Sequence, residues 1–555
     1  MFSTSWKSTA LMLPPLLFWL SSDVVQARRV AASTCPAPVP ASYPAPVVRD
    51  GYEARLVATG LKRPRGVIVD SKGRLLVVES GKGITHLTIK DDGWPCLSVE
   101  KTTTLVSMSD LNHGIELSVD GKTLYASTSN SVYSWAYDAE AVSVSDEKSP
   151  KTLISNMTNV GGGHSTRTLL LSRKQPGILL VSRGSGSNLD NGATDHSSGI
   201  SQIRAFDISD PNLSTSGGGG GKVYDYPSEG WTIGWGLRNS VGVAEEPNTG
   251  GIYSVENSAD GIRRFDVDIH EDSPGEEMNY HGVLRVPSSS SSSDTTQGQG
   301  GGNHGYPYCL ALYNSSTPSP FPSLGNLKTG SQFTHDSTPY SIPFLPSSSD
   351  SSSVPQAKPI NITASDTSCS SANFVPPRLT FPAHTAPLDI KFSNKNNNRT
   401  LAYITFHGSW DRSTPAGYKL SAVRFDVTKG EPVEASDSTN SLVDVMWNRD
   451  VTKCPDQCFR PVGLAVDDRE GRIWMTDDDK GDVWVLKQVG EVKGDNDDDD
   501  DGNGGVGSGS GSANGDSDSA AVPMRMKRNG SGSEWMGVGR SMVVAVVGSV
   551  LFAVL

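Results

Sequence analysis

The chain has 555 residues, more than one hydrophobic core requires, so burial does not limit its folding. A net charge of −13 lacks the basic footprint of a nucleic-acid or anionic-membrane binder and excludes both as partners. Much of the charge is local, in an acidic run from Asp495 to Asp501.

In chain order, Lys7 precedes an apolar run from Leu11 to Leu20, and the small-residue pattern ending at Ala27 follows. Residues 1–27 therefore read as a secretory signal peptide. Six repeats of one pattern come next: an apolar run, a polar turn, then a second apolar run ending in small or polar residues. The copies span Gly66 to Glu79, Gly114 to Ser127, Thr168 to Ser182, Val241 to Val255, Leu388 to Phe406 and Val462 to Thr476. Each predicts a β-hairpin. One hairpin cannot hide its apolar faces alone, whereas radial stacking hides them all. The expectation is an all-β chain with a six-bladed β-propeller over 36–488. A seven-bladed ring or an array of sandwiches is the competing arrangement.

Two inserts interrupt the repeats. Residues 212–222 are Ser/Gly-rich, and residues 287–375 hold Ser/Gly/Pro tracts around an island at Tyr306 to Tyr308. Both predict disordered or surface-loop segments rather than extra domains. Residues 489–541 read as an acidic, Gly/Ser-rich linker or stalk with a glycosylphosphatidylinositol (GPI) attachment site, and 542–555 as the hydrophobic GPI signal. The expected location is secreted and at the cell surface, with the anchor as the sole membrane contact. Six cysteines suit that compartment. Proximity favours Cys454 with Cys458 and, less firmly, Cys309 with Cys369 and Cys35 with Cys96. Sequons at Asn156, Asn212, Asn314, Asn361, Asn398 and Asn529 mark glycosylated loops.

Residues at equivalent places in the repeats of a propeller converge around its channel. Flanking the hairpins stand Asn112 and His113, His164 with Arg167, Arg238 with Asn239, Glu256 to Asp260, His384, His407 to Arg412, and Arg460. Imidazoles and guanidinia at loop ends point to an anionic ligand and proton transfer. The series of Gly-Gly-His164-Ser-Thr-Arg167, Gly-Leu-Arg238-Asn239, Glu256-Asn257, His407-Gly-Ser-Trp-Asp-Arg412, Gly417-Tyr-Lys419 and Arg460-Pro-Val-Gly463 resembles the glucose/sorbosone dehydrogenase family. The resemblance extends over roughly residues 50–488 and is greatest to the fungal pyranose dehydrogenases that use pyrroloquinoline quinone (PQQ).

That resemblance implies a sugar substrate oxidised at C1, with PQQ and Ca²⁺ as cofactors. His164 is then the general base and Arg238 the charge stabiliser facing the quinone. Asn239, Arg167, Arg412, Arg460, Asn112 and Lys419 would bind or flank the cofactor, and the backbone carbonyls of Ser258 and Ala259 would hold Ca²⁺. Electrons would go to a separate acceptor: a cytochrome, a quinone or a redox enzyme. Trp235 and Trp410 are candidate stacking platforms. Two other functions fit the repeats: a glycan-binding propeller without chemistry, and a calcium lactonase-type hydrolase built on Glu256, Asn257 and Asp260.

Overall fold

The computed structural model describes Met1 and residues 35–490, apart from 161, 211–212, 214–220, 285–301, 315–324, 336–338, 343–359 and 397–398. The expected signal peptide, the linker from 491 onward, the GPI signal and most of the Gly217 to Gly221 run lie outside the described residues.

Each predicted hairpin forms the two inner strands of a four-stranded antiparallel blade. The first blade is Pro64–Val69, Leu75–Glu79, Gly83–Asp91 and Leu97–Val106. The second is Leu111–Leu117, Thr123–Thr128, Val132–Asp138 and Lys151–Ser155. The third is Leu169–Leu171, Ile178–Arg183, Gln202–Asp207 and Trp231–Trp235. The fourth is Ser240–Glu245, Gly251–Glu256, Glu276–Val283 and Leu379–Phe381. The fifth is Pro387–Asn396, Arg399–Phe406, Lys419–Asp426 and Val443–Trp447. The sixth takes Pro461–Asp467, Arg472–Asp477 and Asp482–Gln488 from the far end of the chain, and its outer strand, Tyr52–Ala58, from the near end.

The innermost strands touch in cyclic order, first to second and onward to sixth, and the sixth returns to the first. The ring is therefore closed. Its core is divided among the blade interfaces. Leu76, Val78 and Ile84 pack on Ile115, Leu124 and Trp135 between blades one and two. Val57, Ala465, Trp474 and Val485 pack on Val67, Val77 and Leu87 where blade six meets blade one. Buried apolar faces of this kind are the main favourable term in folding.

The inner strands approach closely, which accounts for the recurring glycine. A Cβ on Gly66 would lie 2.1 Å from the carbonyl oxygen of His113, and one on Gly114 2.2 Å from that of Arg167. The hydroxyls that end the second strands stitch neighbouring blades. Ser127 donates to the Arg167 carbonyl, Thr405 to Val462 and Thr476 to Arg65, each at 2.6 Å.

All three favoured disulfides form: Cys35–Cys96, Cys309–Cys369 and Cys454–Cys458. Part of the second insert is ordered, contrary to a wholly irregular reading. Cys309–Ala311 pairs with Gln332–Thr334, Gly302–Asn303 extends blade three, and Asp366–Cys369 forms one capped helical turn.

Candidate active site

In every blade the start of the first strand lies opposite the end of the second, as Ser240 opposite Glu256, Pro387 opposite Phe406 and Pro461 opposite Asp477. The loops before first strands and after second strands therefore share one end of the channel. His164, Arg238, Asn239, His384 and Arg460 arrive on the former. Ser185, Asn188, Ser258, Ala259, Asp260, His407, Trp410 and Asp478 arrive on the latter.

His164 is the best-defined proton acceptor. Its Nδ1 lies 3.0 Å from both the carbonyl oxygen and Oγ of Ser185, so Nδ1–H donates there and the Nε2 lone pair is left available. The His164 main chain is pinned as well, its N–H donating to the Ser185 carbonyl. Gly184 makes the approach possible: a Cβ there would meet Asn239 Oδ1 at 2.6 Å and His164 Cβ at 2.8 Å. Burial, then the charge on Arg238, lowers the His164 pKa to about 3. The imidazole is thus neutral at ordinary pH.

Arg238 is a fixed charge rather than a free donor. Its guanidinium donates to the Asn188 carbonyl and Oδ1, to the Asn257 carbonyl and to Asp260 at 2.7 Å. Asn188 also receives the Asp260 N–H and donates to the Asp260 carbonyl, so one side chain ties the blade-three and blade-four loops together. Tyr306, from the ordered island, braces this loop by accepting the Asp190 N–H and donating to the Asn188 carbonyl.

Ser258 and Ala259 sit between the second strand of blade four and Asp260. Beneath them the buried Glu276 accepts the N–H of Ser258 at 2.7 Å and that of Ala386 at 2.9 Å, joining blade four to blade five. Burial raises the Glu276 pKa. Asp260, His384 and Asp411 bring one ligand atom each within 4.8 Å of one another. Burial alone would raise the Asp260 carboxyl, but His384 and Arg238 bring it below its ordinary value. Of the residues expected for a lactonase-type cluster, Glu256 accepts the Arg238 N–H and Asn257 donates to the Pro387 carbonyl.

Across the channel mouth, Arg460 donates to His407 Nδ1 at 3.0 Å, and His407 Nε2 lies 2.8 Å from Asp478. Asp478 also takes Arg65 at 2.7 Å. Burial opposes the Asp478 charge, yet His407 and Arg65 hold its carboxyl well below the usual range.

Several expected ligand-binding residues have protein partners of their own. Arg167 is fully buried, and its guanidinium serves the carbonyls of His164, Thr166 and Met157, bracing the His164 loop. Lys419 pairs with Asp444, and Arg412 with Asp272 and the Thr414 carbonyl. Asn112 donates to the Ser165 carbonyl, and its Oδ1 is buried without a partner among the described residues. Trp235 is buried edge-on to His196, whereas Trp410 is 66% exposed on the mouth loop. The partners Asn188, Glu276, Arg65 and Asp478 escaped sequence reasoning. The one signal for Asp478 was its place just after the sixth repeat, equivalent to the loop carrying His407 after the fifth.

Fold and site together define a closed six-bladed propeller with a neutral histidine and fixed cations at one channel mouth. The chain belongs to the TrAA12-like family, whose profile matches residues 46–489. It is 44% identical over 447 residues to a pyrroloquinoline quinone-dependent sugar dehydrogenase of Hypocrea jecorina (strain QM6a), covering 80% of this chain and 90% of that protein. It is 31% identical over 454 residues to the pyrroloquinoline quinone-dependent pyranose dehydrogenase of Coprinopsis cinerea, again over 80% of this chain, but it spans only 54% of that longer protein. The calcium structure of the Trichoderma reesei family AA12 enzyme superposes with a TM-score of 0.70 at 44% identity, covering 82% of this chain and all of that one.

Proposed function

We propose that the protein is an oxidoreductase that oxidises a pyranose sugar at C1 with PQQ and Ca²⁺ and passes the electrons to a separate acceptor, at the outer cell surface. The observation that carries this reading is His164, a neutral imidazole with an available Nε2, beside the fixed charge of Arg238. Both sit at the channel mouth of a chain whose relatives are PQQ-dependent sugar and pyranose dehydrogenases.

The residues fit the group. PQQ is a tricarboxylate, and cationic side chains suit it. Among the described residues, Arg65 Nη2 and Asn112 Oδ1 are buried polar atoms with no protein partner, as expected at the edge of a polar ligand site. Arg460 and Asn239 would hold the quinone beside the fixed charge of Arg238, and the carbonyls of Ser258 and Ala259 would hold Ca²⁺, a hard cation that takes oxygen ligands. The bound quinone supplies the two-electron acceptor for the hydride leaving C1. His164 Nε2 takes the proton of the C1 hydroxyl, so the sugar leaves as its lactone. Ser185 fixes the tautomer that makes Nε2 the acceptor. Glu276 holds Ser258 in place, and Arg238 supplies positive potential where negative charge develops.

The test is reconstitution of the full chain with PQQ and Ca²⁺, following dye reduction by a panel of sugars. Absence of both quinone binding and sugar-dependent reduction would remove the reading. His164→Ala is expected to bind PQQ like the wild type and to turn over roughly 10²- to 10⁴-fold more slowly.

A further inference from the structure

The side chains opposite His164 form a linear arrangement. Asp478 uses one carboxylate oxygen on Arg65 Nη1 at 2.7 Å and the other on His407 Nε2 at 2.8 Å. His407 is 1% exposed, and its second ring nitrogen meets Arg460 Nη2 at 3.0 Å. An ionised carboxylate only accepts, so Nε2 must carry the hydrogen. Nδ1 is then left as a lone pair, which accepts from Arg460. The reverse tautomer would set N–H against N–H at Arg460 and a lone pair against the carboxylate. Tyr418 supports the same guanidinium from its ring face, at 5.6 Å from the centroid.

We propose that Asp478 is a positioning residue: by fixing the tautomer of His407 it holds the Arg460 guanidinium at the channel mouth, where it meets a carboxylate of the anionic quinone. This rests on the functional reading above and adds a residue with no contact of its own to the ligand. Replacement by asparagine keeps the size but offers either an oxygen or an amino group to Nε2. His407 can then adopt the tautomer that turns a hydrogen toward Arg460 and displaces it.

The experiment is PQQ binding by calorimetry to the full chain, for the wild type, Asp478→Asn, Arg460→Gln and the double variant. Asp478→Asn is expected to bind roughly tenfold more weakly, the lower end of what loss of an orienting partner costs a ligand site. The double variant is expected to bind no more weakly than Arg460→Gln alone, because Asp478 acts through Arg460. A purely structural aspartate would give additive losses, and that result, or wild-type affinity in Asp478→Asn, overturns the proposal. Should Asp478→Asn fail to fold, His407→Gln interrupts the same chain while leaving the Asp478–Arg65 pair, and its cycle with Arg460→Gln reads the same coupling. A wild-type chain that binds no quinone removes the functional reading and this proposal with it, whereas a binding wild type with an equally binding Asp478→Asn removes the proposal alone.

Discussion

At the scale of single residues, the site is a set of side chains whose charges are arranged by neighbours. Arg238 both depresses the His164 pKa and neutralises Asp260. Arg238→Gln should therefore raise the His164 pKa. It removes a like charge and leaves the Asp260 carboxylate to favour the imidazolium, and both effects have the same sign. Titration of the His164 imidazole by NMR checks this; an unmoved or lowered pKa contradicts it. Which residues face the channel was readable from their places in the repeats, as for His164, Arg238 and Arg460. Their partners were not. Nothing in the Asp477 to Asp479 run marks Asp478 as the one that meets His407, and Glu276 lies in a third strand with no recognisable repeat. The motif places Arg167 next to His164, but the sequence does not show that its side chain turns inward to three carbonyls.

At the scale of strands and blades, the hairpins were legible because an apolar alternation and a turn are local signals. Outer strands were not. Leu379–Phe381 enters blade four only after the insert at 287–375, and Tyr52–Ala58 pairs with a strand at the opposite end of the chain. Inner-strand glycines carry a specific cost. Gly66→Ala should destabilise by about 3 kcal/mol, measured by urea unfolding, since its Cβ would collide with fixed main chain. A pH effect belongs to the same scale. Asp477 ends the second strand of blade six, and burial pushes its pKa up to about 7. The folded state then holds a proton that the unfolded chain releases near the ordinary value of 3.8. Its contribution is complete below that value and is lost as pH rises toward 7. Asp477→Asn carries no such proton, so its melting temperature should fall less than that of the wild type between pH 5 and pH 8.

At the scale of the whole molecule, the disulfides differ in the length of chain they close. Cys35–Cys96 spans 61 residues and Cys454–Cys458 spans 4. Chain entropy assigns roughly 4 kcal/mol to the first and roughly 2 kcal/mol to the second. Replacing Cys35 and Cys96 by serine should lower the melting temperature more than replacing Cys454 and Cys458, and equal losses would contradict the entropic account.

The outer strand of blade six has a temporal consequence. Because Tyr52–Ala58 pairs with Asp482–Gln488, a blade-forming segment that leaves the ribosome early waits for the last before its sheet exists. Five blades can zip up as they emerge, but the toroid stays a gapped arc with two raw flanks, Val67 and Val77 on one side and Tyr403 and Met446 on the other. Synthesis interrupted shortly before Asp482 would release a chain almost entirely made yet sticky at both ends, whereas a handful of further residues lets it snap shut.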